Sequence, residues 1–356
     1  MHSTTTELLH LSHCVLRGFD SGHLSAIVAL DLTKAFATIN HDLLLAKLRI
    51  YGLSPSAISL LCSFLSNRTQ QVLIHNPFPL LSSPRQVISG VPQGSILGPL
   101  LFNIFVSDLT SISLSSQLFM YADDVIFLSF LHPSDALSAS SSLNNDLAIV
   151  ANWASSNGLC LNPSKSSLLI AGSPALLSRL HAFDIFLDLS SILHSSSIKL
   201  LGVHFDSSWS FKPHVTAKRR TFFSRLRLLY PFRHILSSSQ KLVVSQSMIV
   251  SLFDYVNVVY ALAFTQQLSE RIQRVQNSCL RFSYGIRKFD HLTPLFNSSG
   301  WLKMRPRYIL HLCCFIVSLL RSNSPPYLRR LLQLTSSSSI LRHHQSPSIL
   351  PHSSLL

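Results

Sequence analysis

Acidic residues are scarce in this chain. Of its 356 residues only 15 are Asp or Glu, against 29 Lys or Arg, and charged residues of both signs make up 12%, about half the ~25% usual in globular domains. Long apolar runs are missing too. No 18 consecutive apolar residues occur, and the longest candidate, 308–320, contains His311 and is too short for a bilayer. The six cysteines (positions 14, 62, 160, 279, 313 and 314) show no CxxC spacing. That excludes a zinc ribbon and a disulfide scaffold and fits a reduced intracellular compartment, nucleus or cytoplasm. The opening MHSTTTELLH has neither a basic n-region nor an apolar h-region, so no signal peptide is expected. No internal repeat is visible.

What is present is ample core material and much serine. Apolar residues make up 47%, which excludes a wholly disordered chain. The 62 serines fill much of the surface that Lys and Glu normally hold. The length is that of two or three structural units. Charge divides along the chain: residues 1–198 carry a net −3 and residues 199–356 a net +17. This is the pattern of a near-neutral catalytic part joined to an anion-binding part. Nucleic acid is the first candidate anion, and an acidic membrane surface the second.

Apolar periodicity and breakers give a coarse order of elements. A helix is expected over 4–19 with Ser3 as N-cap, then a strand over 26–32 buried on both faces. Helices follow over 42–50 and 56–64, and a strand over 70–74. A further helix covers 98–109, and a hairpin covers 118–130. Another helix spans 134–155, with strands at 168–171 and 199–205. From 211 to about 332 the pattern is helical, with Pro breaks at 231, 294 and 306, and the Ser-, His- and Pro-rich tail over 333–356 is expected to be disordered. The domain reading is an α/β (α+β) unit over 1–205, a basic helical unit over 206–332, and the tail.

The sharpest local feature is Tyr121-Ala122-Asp123-Asp124, two adjacent acids between apolar segments. In an extended strand they would face opposite sides, so a tight turn is needed for both to serve one site. A solvated hairpin tip is the plain alternative. Asp31 adds a third acid at the end of the apolar strand, where a carboxylate is costly unless paired or metal-bound. Three converging carboxylates make an oxygen-only site suited to Mg²⁺, and two such ions serve phosphoryl transfer.

These acids fall within an ordered series of motifs. Asp31-Leu32-Thr33-Lys34-Ala35-Phe36 runs on into Asn40-His41-Asp42-Leu43-Leu44. Gly90-Val91-Pro92-Gln93-Gly94-Ser95-Ile96-Leu97-Gly98-Pro99-Leu100 precedes the Tyr121–Asp124 hairpin. Gly158-Leu159, Leu161-Asn162 and Lys165 come next, then Leu200-Leu201-Gly202-Val203, Arg271 to Asn277 and Asp290 to Leu295. In order and spacing the series resembles the reverse transcriptase of non-LTR (LINE-type) retrotransposons, in the Jockey-like and chicken-repeat-like branch, over roughly residues 3–332.

The resemblance implies a right-hand polymerase palm with an antiparallel sheet, truncated fingers and a helical thumb. It implies transfer of dNMP to a primer 3′-OH on an RNA template, with two Mg²⁺ ions or Mn²⁺ in their place. The partners implied are RNA template, DNA primer and dNTPs; no membrane and no stable protein partner are expected. It assigns Asp31, Asp123 and Asp124 to the metals. It makes Phe36 the aromatic that blocks a ribose 2′-OH, with core packing as the plain alternative. Gln93 would contact the incoming nucleotide, Gly94 would let the backbone approach it, and Tyr121 would support the primer end. Lys165 would stabilise or protonate the departing pyrophosphate, or else be a surface lysine. Lys218, Arg219, Arg220, Arg225 and Arg227 would hold duplex phosphates from the thumb, or else form a solvated basic face. Arg271, Arg274 and Arg281 share another helix face.

Three departures from the pattern stand out. Ala37 follows the aromatic where these elements usually carry a second Asp. By the resemblance, the basic fingers region that would hold the triphosphate is expected upstream of this sequence, and no endonuclease domain is expected within it. The alternative to a working polymerase is therefore an inactive retroelement remnant that at most binds nucleic acid.

Overall fold

Side-chain caps mark where several of the helices begin. Ser3 and Thr6 form a capping box, and Asn40, Ser54 and Thr265 each accept an N–H from the first turn of the helix that follows. The computed structural model describes residues 3–75, 79–335 and 348–350. Its main elements are α1 (Thr4–Asp20), β1 (Leu24–Thr33), α2 (His41–Ile50), α3 (Pro55–Leu65), α4 (Leu97–Val106), β2 (Gln117–Tyr121), β3 (Asp124–Leu131) and α5 (Ala136–Ser156). The chain continues through β4 (Cys160–Leu161), β5 (Ser167–Ala171), β6 (Ser197–Leu200), β7 (Val203–Asp206), α6 (Lys212–Leu229), α7 (Ser238–Met248), α8 (Gln266–Tyr284) and α9 (Met304–Ser322).

The described chain forms two units. One contains Ala26–Leu168 and Arg179–His194; the other contains Met1–Ser25, Leu169–Ser178 and Ser195–Leu356. The division does not fall at residue 205. α1 packs with the short helix Asn257–Tyr260, and His10 stacks on Tyr327 at 4.4 Å. The hairpin β6–β7 packs on α6. Apolar contacts thus draw both ends of the α/β segment into the helical unit.

In the first unit the sheet order is β2-β3-β1-β4. The central strands are apolar because both faces are covered. Ile27 and Val28 of β1, and Ile126 and Phe127 of β3, are almost wholly buried, as are Leu143 and Leu147 of α5 and Phe102 and Phe105 of α4. Lys47 of α2 is drawn into this core by the Phe105 carbonyl (2.6 Å) and Asp108 (2.7 Å). Between α3 and α4 the single strand expected over 70–74 is two short ladders, Arg68–Gln70 with Arg85–Val87 and Leu73–His75 with Pro79–Leu81. Ser82 bonds both the N–H and C=O of Val72 and interrupts the pairing there.

The second unit is mainly helical. Leu268, Ile272, Val275, Cys279 and Leu280 form the buried stripe of α8. On α9, Tyr308 and Leu319 are buried. Pro294 and Pro306 fall in the first turns of their helices, where no N–H is missed, so they mark starts rather than breaks. Arg307 makes a two-pronged pair with Asp254 at 2.6 and 2.7 Å. Among the described residues no single helix is long and apolar enough to cross a membrane. Most of the 333–356 tail lies outside the described residues; its described parts, Gln333–Thr335 and Ser348–Leu350, pair antiparallel.

Candidate active site

Burial along β1 alternates after Val28, so Asp31 shares the more open face with Ala29 and Thr33. Its backbone is held on both sides. β4 pairs at Leu32↔Leu161 and Thr33↔Cys160, and the Asn162 N–H donates to the Asp31 carbonyl at 2.9 Å. The Asp31 N–H donates to Ser166 Oγ at 3.3 Å, and that hydroxyl donates to the Asn162 carbonyl at 2.8 Å. Opposite Asp31 the neighbouring strand therefore leaves the ladder for a turn over 162–166. Asn162 Oδ1 shapes it by accepting the Ser164 N–H and hydroxyl at 3.1 and 2.7 Å. This turn carries Lys165, whose Nζ lies 3.9 Å from Asp31 Oδ2. The lysine side chain is 64% exposed, so the pair contributes little to stability. Asp31 Oδ2 is buried without a hydrogen-bond partner.

The two other acids sit where β2 turns into β3. The ladder closes at Tyr121↔Asp124, leaving Ala122 and Asp123 as a two-residue loop. Ala122 takes a left-handed φ of 53°, as such a loop requires of one central residue. The half-buried Tyr121 ends β2 beside it. Surrounding protein pushes the Asp124 carboxyl up from its ordinary value, and the negative charges of Asp123 and Asp31 push it further. The negative charges of Asp31 and Asp123 thus reach the Asp124 carboxyl.

Among the described residues no three His, Cys, Asp or Glu side chains are gathered tightly enough to cage a metal alone. The donor set nevertheless fits a hard dication. It is all oxygen, one carboxylate oxygen is buried with no hydrogen bond, and the repulsion on Asp124 would be relieved by positive charge. Mg²⁺ in particular keeps waters and takes further oxygens from a phosphate substrate, so it needs no complete protein cage.

The segment after Asp31 forms a second wall. Lys34 is left-handed (φ 49°) and leads into a single turn, Ala35–Thr38. The half-buried Phe36 stacks on Phe102 at 4.2 Å, which is the packing role weighed for it. The 89–91 backbone docks here: the Val91 N–H donates to Phe36 O (2.9 Å), the Gly90 N–H to Ile39 O (2.8 Å), and His41 Nε2 meets Gly90 O (2.7 Å). A Cβ on Gly90 would lie 2.7 Å from Ala37 Cα, so this glycine is needed for packing. Gly94 differs. Its φ is +82°, nothing lies within 4 Å of a Cβ, and it sits with Gln93 on an exposed turn. Among the described residues no hydrogen bond joins Gln93 or Gly94 to the acids.

The basic candidates lie on α6, in the other unit. Arg220, Arg225 and Arg227 are exposed, and Arg225 donates to the Met248 carbonyl. Arg219 Nε is buried without a partner. Lys218 lies 5.6 Å over the Tyr255 ring, and burial together with Lys199 and Arg225 pushes its ammonium below the ordinary value. Lys199 stands opposite His204 in the β6–β7 ladder. Beneath them, fully buried His214 is pushed down to about 3 by burial, Lys218 and His204. Sequence spacing found Lys218 and Arg225 but not Lys199, which joins them only through the hairpin. It also missed Ser166; its place directly after Lys165 in the turn was the available signal.

A family model for reverse transcriptase (RNA-dependent DNA polymerase) matches residues 5–205. The chain is 28% identical over 294 residues to a probable RNA-directed DNA polymerase from transposon BS of Drosophila melanogaster, covering 79% of this chain and 31% of that protein. It is 27% identical over 294 residues to the RNA-directed DNA polymerase from mobile element jockey of Drosophila funebris, covering 79% and 30%. The chain thus spans about a third of the length of these relatives. Among solved structures, telomerase from Candida tropicalis in complex with a TWJ fragment of telomeric RNA is similar at 13% identity and a TM-score of 0.40, over 90% of this chain and 51% of that one.

Proposed function

We propose, from the premise that this chain belongs to the reverse transcriptase (RNA-dependent DNA polymerase) family, that it is the polymerase module of a non-LTR retrotransposon. It would extend a DNA primer 3′-OH along an RNA template with dNTPs, inside the cell, in nucleus or cytoplasm. One observation carries this reading: Asp31 lies on the pinned strand β1, and Asp123 and Asp124 lie at the tight turn into β3, the strand next to β1 in the sheet.

In this reading Asp31, Asp123 and Asp124 hold two Mg²⁺ ions, with Mn²⁺ as a substitute. Bound divalent cations activate the primer hydroxyl and neutralise charge on the triphosphate. The Asn162–Ser166 turn fixes the backbone of Asp31 and aims Lys165 at the departing pyrophosphate. Phe36, held against Phe102, blocks a ribose 2′-OH and so selects dNTPs. Gln93 and Gly94 offer an exposed turn to the nucleotide, and Tyr121 supports the primer end. Lys218, Arg219, Arg220, Arg225 and Arg227 neutralise duplex phosphates without reading sequence.

A second reading, a remnant that binds nucleic acid without polymerising, is favoured by Ala37 in place of an acid beside the aromatic. Primer extension on poly(rA)/oligo(dT) with dTTP and Mg²⁺ separates the two. Extension by the wild-type chain that disappears in an Asp123→Asn, Asp124→Asn variant supports the polymerase. Salt-sensitive binding with no extension by the wild type supports the remnant.

A further inference from the structure

Phe289 is 88% exposed, more than any other large aromatic side chain among the described residues. A single exposed apolar residue is ordinary and by itself implies nothing. Its setting is not ordinary. α8 ends at Gly285 in the left-handed conformation, and the chain then folds into a closed tip over 287–290. Asp290 Oδ2 accepts the Arg287 N–H at 2.7 Å, and the Asp290 N–H donates to the Arg287 carbonyl at 3.3 Å. Arg281 Nε also donates to that carbonyl at 3.3 Å, tying the tip to the helix. The ring is therefore displayed on a preformed turn.

Charge surrounds it. Arg287 and Lys288 are exposed, and neither has an ion-pair partner among the described residues. Lys288 Nζ lies 5.3 Å from the centre of the Phe289 ring, against its π-face. The nearby acid, Asp290, is occupied by the turn itself. An apolar protein groove would have to strip water from both cations to take this ring. An unpaired base with its flanking phosphates would gain from each of the three side chains. A paired base offers no free face, so a single strand is the fitting form.

We propose that Phe289 is a stacking platform for an unpaired nucleotide base, with Arg287 and Lys288 holding the adjacent phosphates. This rests on the reading that the chain handles nucleic acid, and it adds a single-strand contact on the unit that does not hold the carboxylates.

The test is fluorescence anisotropy with the full chain on labelled oligo(dT), oligo(rU) and a blunt duplex of equal length. Phe289→Ala should weaken single-strand binding by roughly tenfold, within the range of one lost base stack. It should leave the blunt duplex unchanged, and Phe289→Tyr should restore affinity. Arg287→Ala and Lys288→Ala should each lower the single-strand salt slope by about 0.7. The indole introduced by Phe289→Trp should be quenched by oligo(dT) beyond the response of the native tryptophans. Equal single-strand affinity of wild type and Phe289→Ala overturns the proposal. So does a wild-type chain that binds duplex but not single strand, and in that case the polymerase reading stands. A wild-type chain that binds none of the three overturns both. Loss of self-association in Phe289→Ala with nucleic-acid affinity intact assigns the ring to a protein contact instead.

Discussion

The carboxylates around Asp31 and the cations around Lys218 are both like-charge clusters, but they are built in opposite ways. The acids sit on short side chains whose backbone is fixed by ladder bonds and a two-residue turn. The cations sit on long side chains from α6 and from the β6–β7 hairpin, packed on Tyr255 and buried His214. Burial, and after it repulsion, distorts titration in both, raising Asp124 and lowering Lys218. Short arms on a rigid frame give a site that depends on position; long arms on a helix give a surface that depends on total charge. Loss of one acid should therefore be nearly all-or-none, and loss of one cation should be graded.

The sharpest way to break that contrast is the acid pair. Replacing Asp123 and Asp124 by Asn should cut primer extension by about a thousandfold or more, since several kcal/mol of metal-borne stabilisation goes with them. The fold should not suffer. The raised Asp124 pKa means the native state holds that proton more tightly than the unfolded chain does. Its ionisation therefore opposes folding as pH rises through the raised value. In EDTA at pH 7 the Asp124→Asn variant should melt at or above the wild-type temperature. A clear drop in Tm would mean the acids are structural and the coupling has been misread.

The basic cluster has the opposite pH signature. His214, pushed down to about 3, is neutral in the native state and titrates near its ordinary 6.5 when unfolded. The stability this contributes is complete above 6.5 and is lost as pH falls toward 3, at about 1.4 kcal/mol per pH unit when one proton separates the states. Denaturation by urea from pH 7 to pH 4 should show this slope. His214→Gln, which keeps an acceptor for the His204 N–H (3.3 Å in the native chain), should flatten it. An unchanged slope would place the acid sensitivity elsewhere.

Between these extremes lies Ser166, which the motif series did not single out. Its hydroxyl links the Asp31 N–H to the Asn162 carbonyl while the strand beside β1 is interrupted. Ser166→Ala should cost about 1 kcal/mol of stability. It should also raise the Mn²⁺ concentration needed to saturate the acids, read by electron paramagnetic resonance, and Ser166→Thr should recover both. Stability loss without a change in Mn²⁺ binding would make the serine purely structural.

Ser166 also marks where sequence reading stops. The strand carrying Asp31 and the hairpin carrying Asp123 and Asp124 were legible because apolar runs and turn chemistry act locally. That the three acids belong to one site was expected only through the family resemblance, since nothing in the spacing of 31 and 123 implies it. The side chain closing the turn was hidden because its partner lies 135 positions away. The return of α1 to the helical unit was hidden for the same reason: an amphipathic helix announces its apolar face but not what covers it. The close approach of Gly90 to Ala37 was hidden in the same way, since the two lie far apart in the sequence.

The smallest effects should come from the cations one at a time, and their ordering tests the comparison most finely. Arg220 and Arg227 are exposed one above the other, free to meet phosphate. Lys218 and Arg225 already hold protein groups, the Tyr255 ring and the Met248 carbonyl. Single Ala substitutions at 220 and 227 should each lower duplex affinity severalfold, reduce the salt slope by about 0.9 and leave Tm unchanged. Lys218→Ala should lower affinity comparably but move stability as well, because it removes a repelled cation and a packed stem together. If any single one of these abolished binding outright, the cluster would be a positioned site like the carboxylates. The contrast between fixed short arms and distributed long ones would then fail.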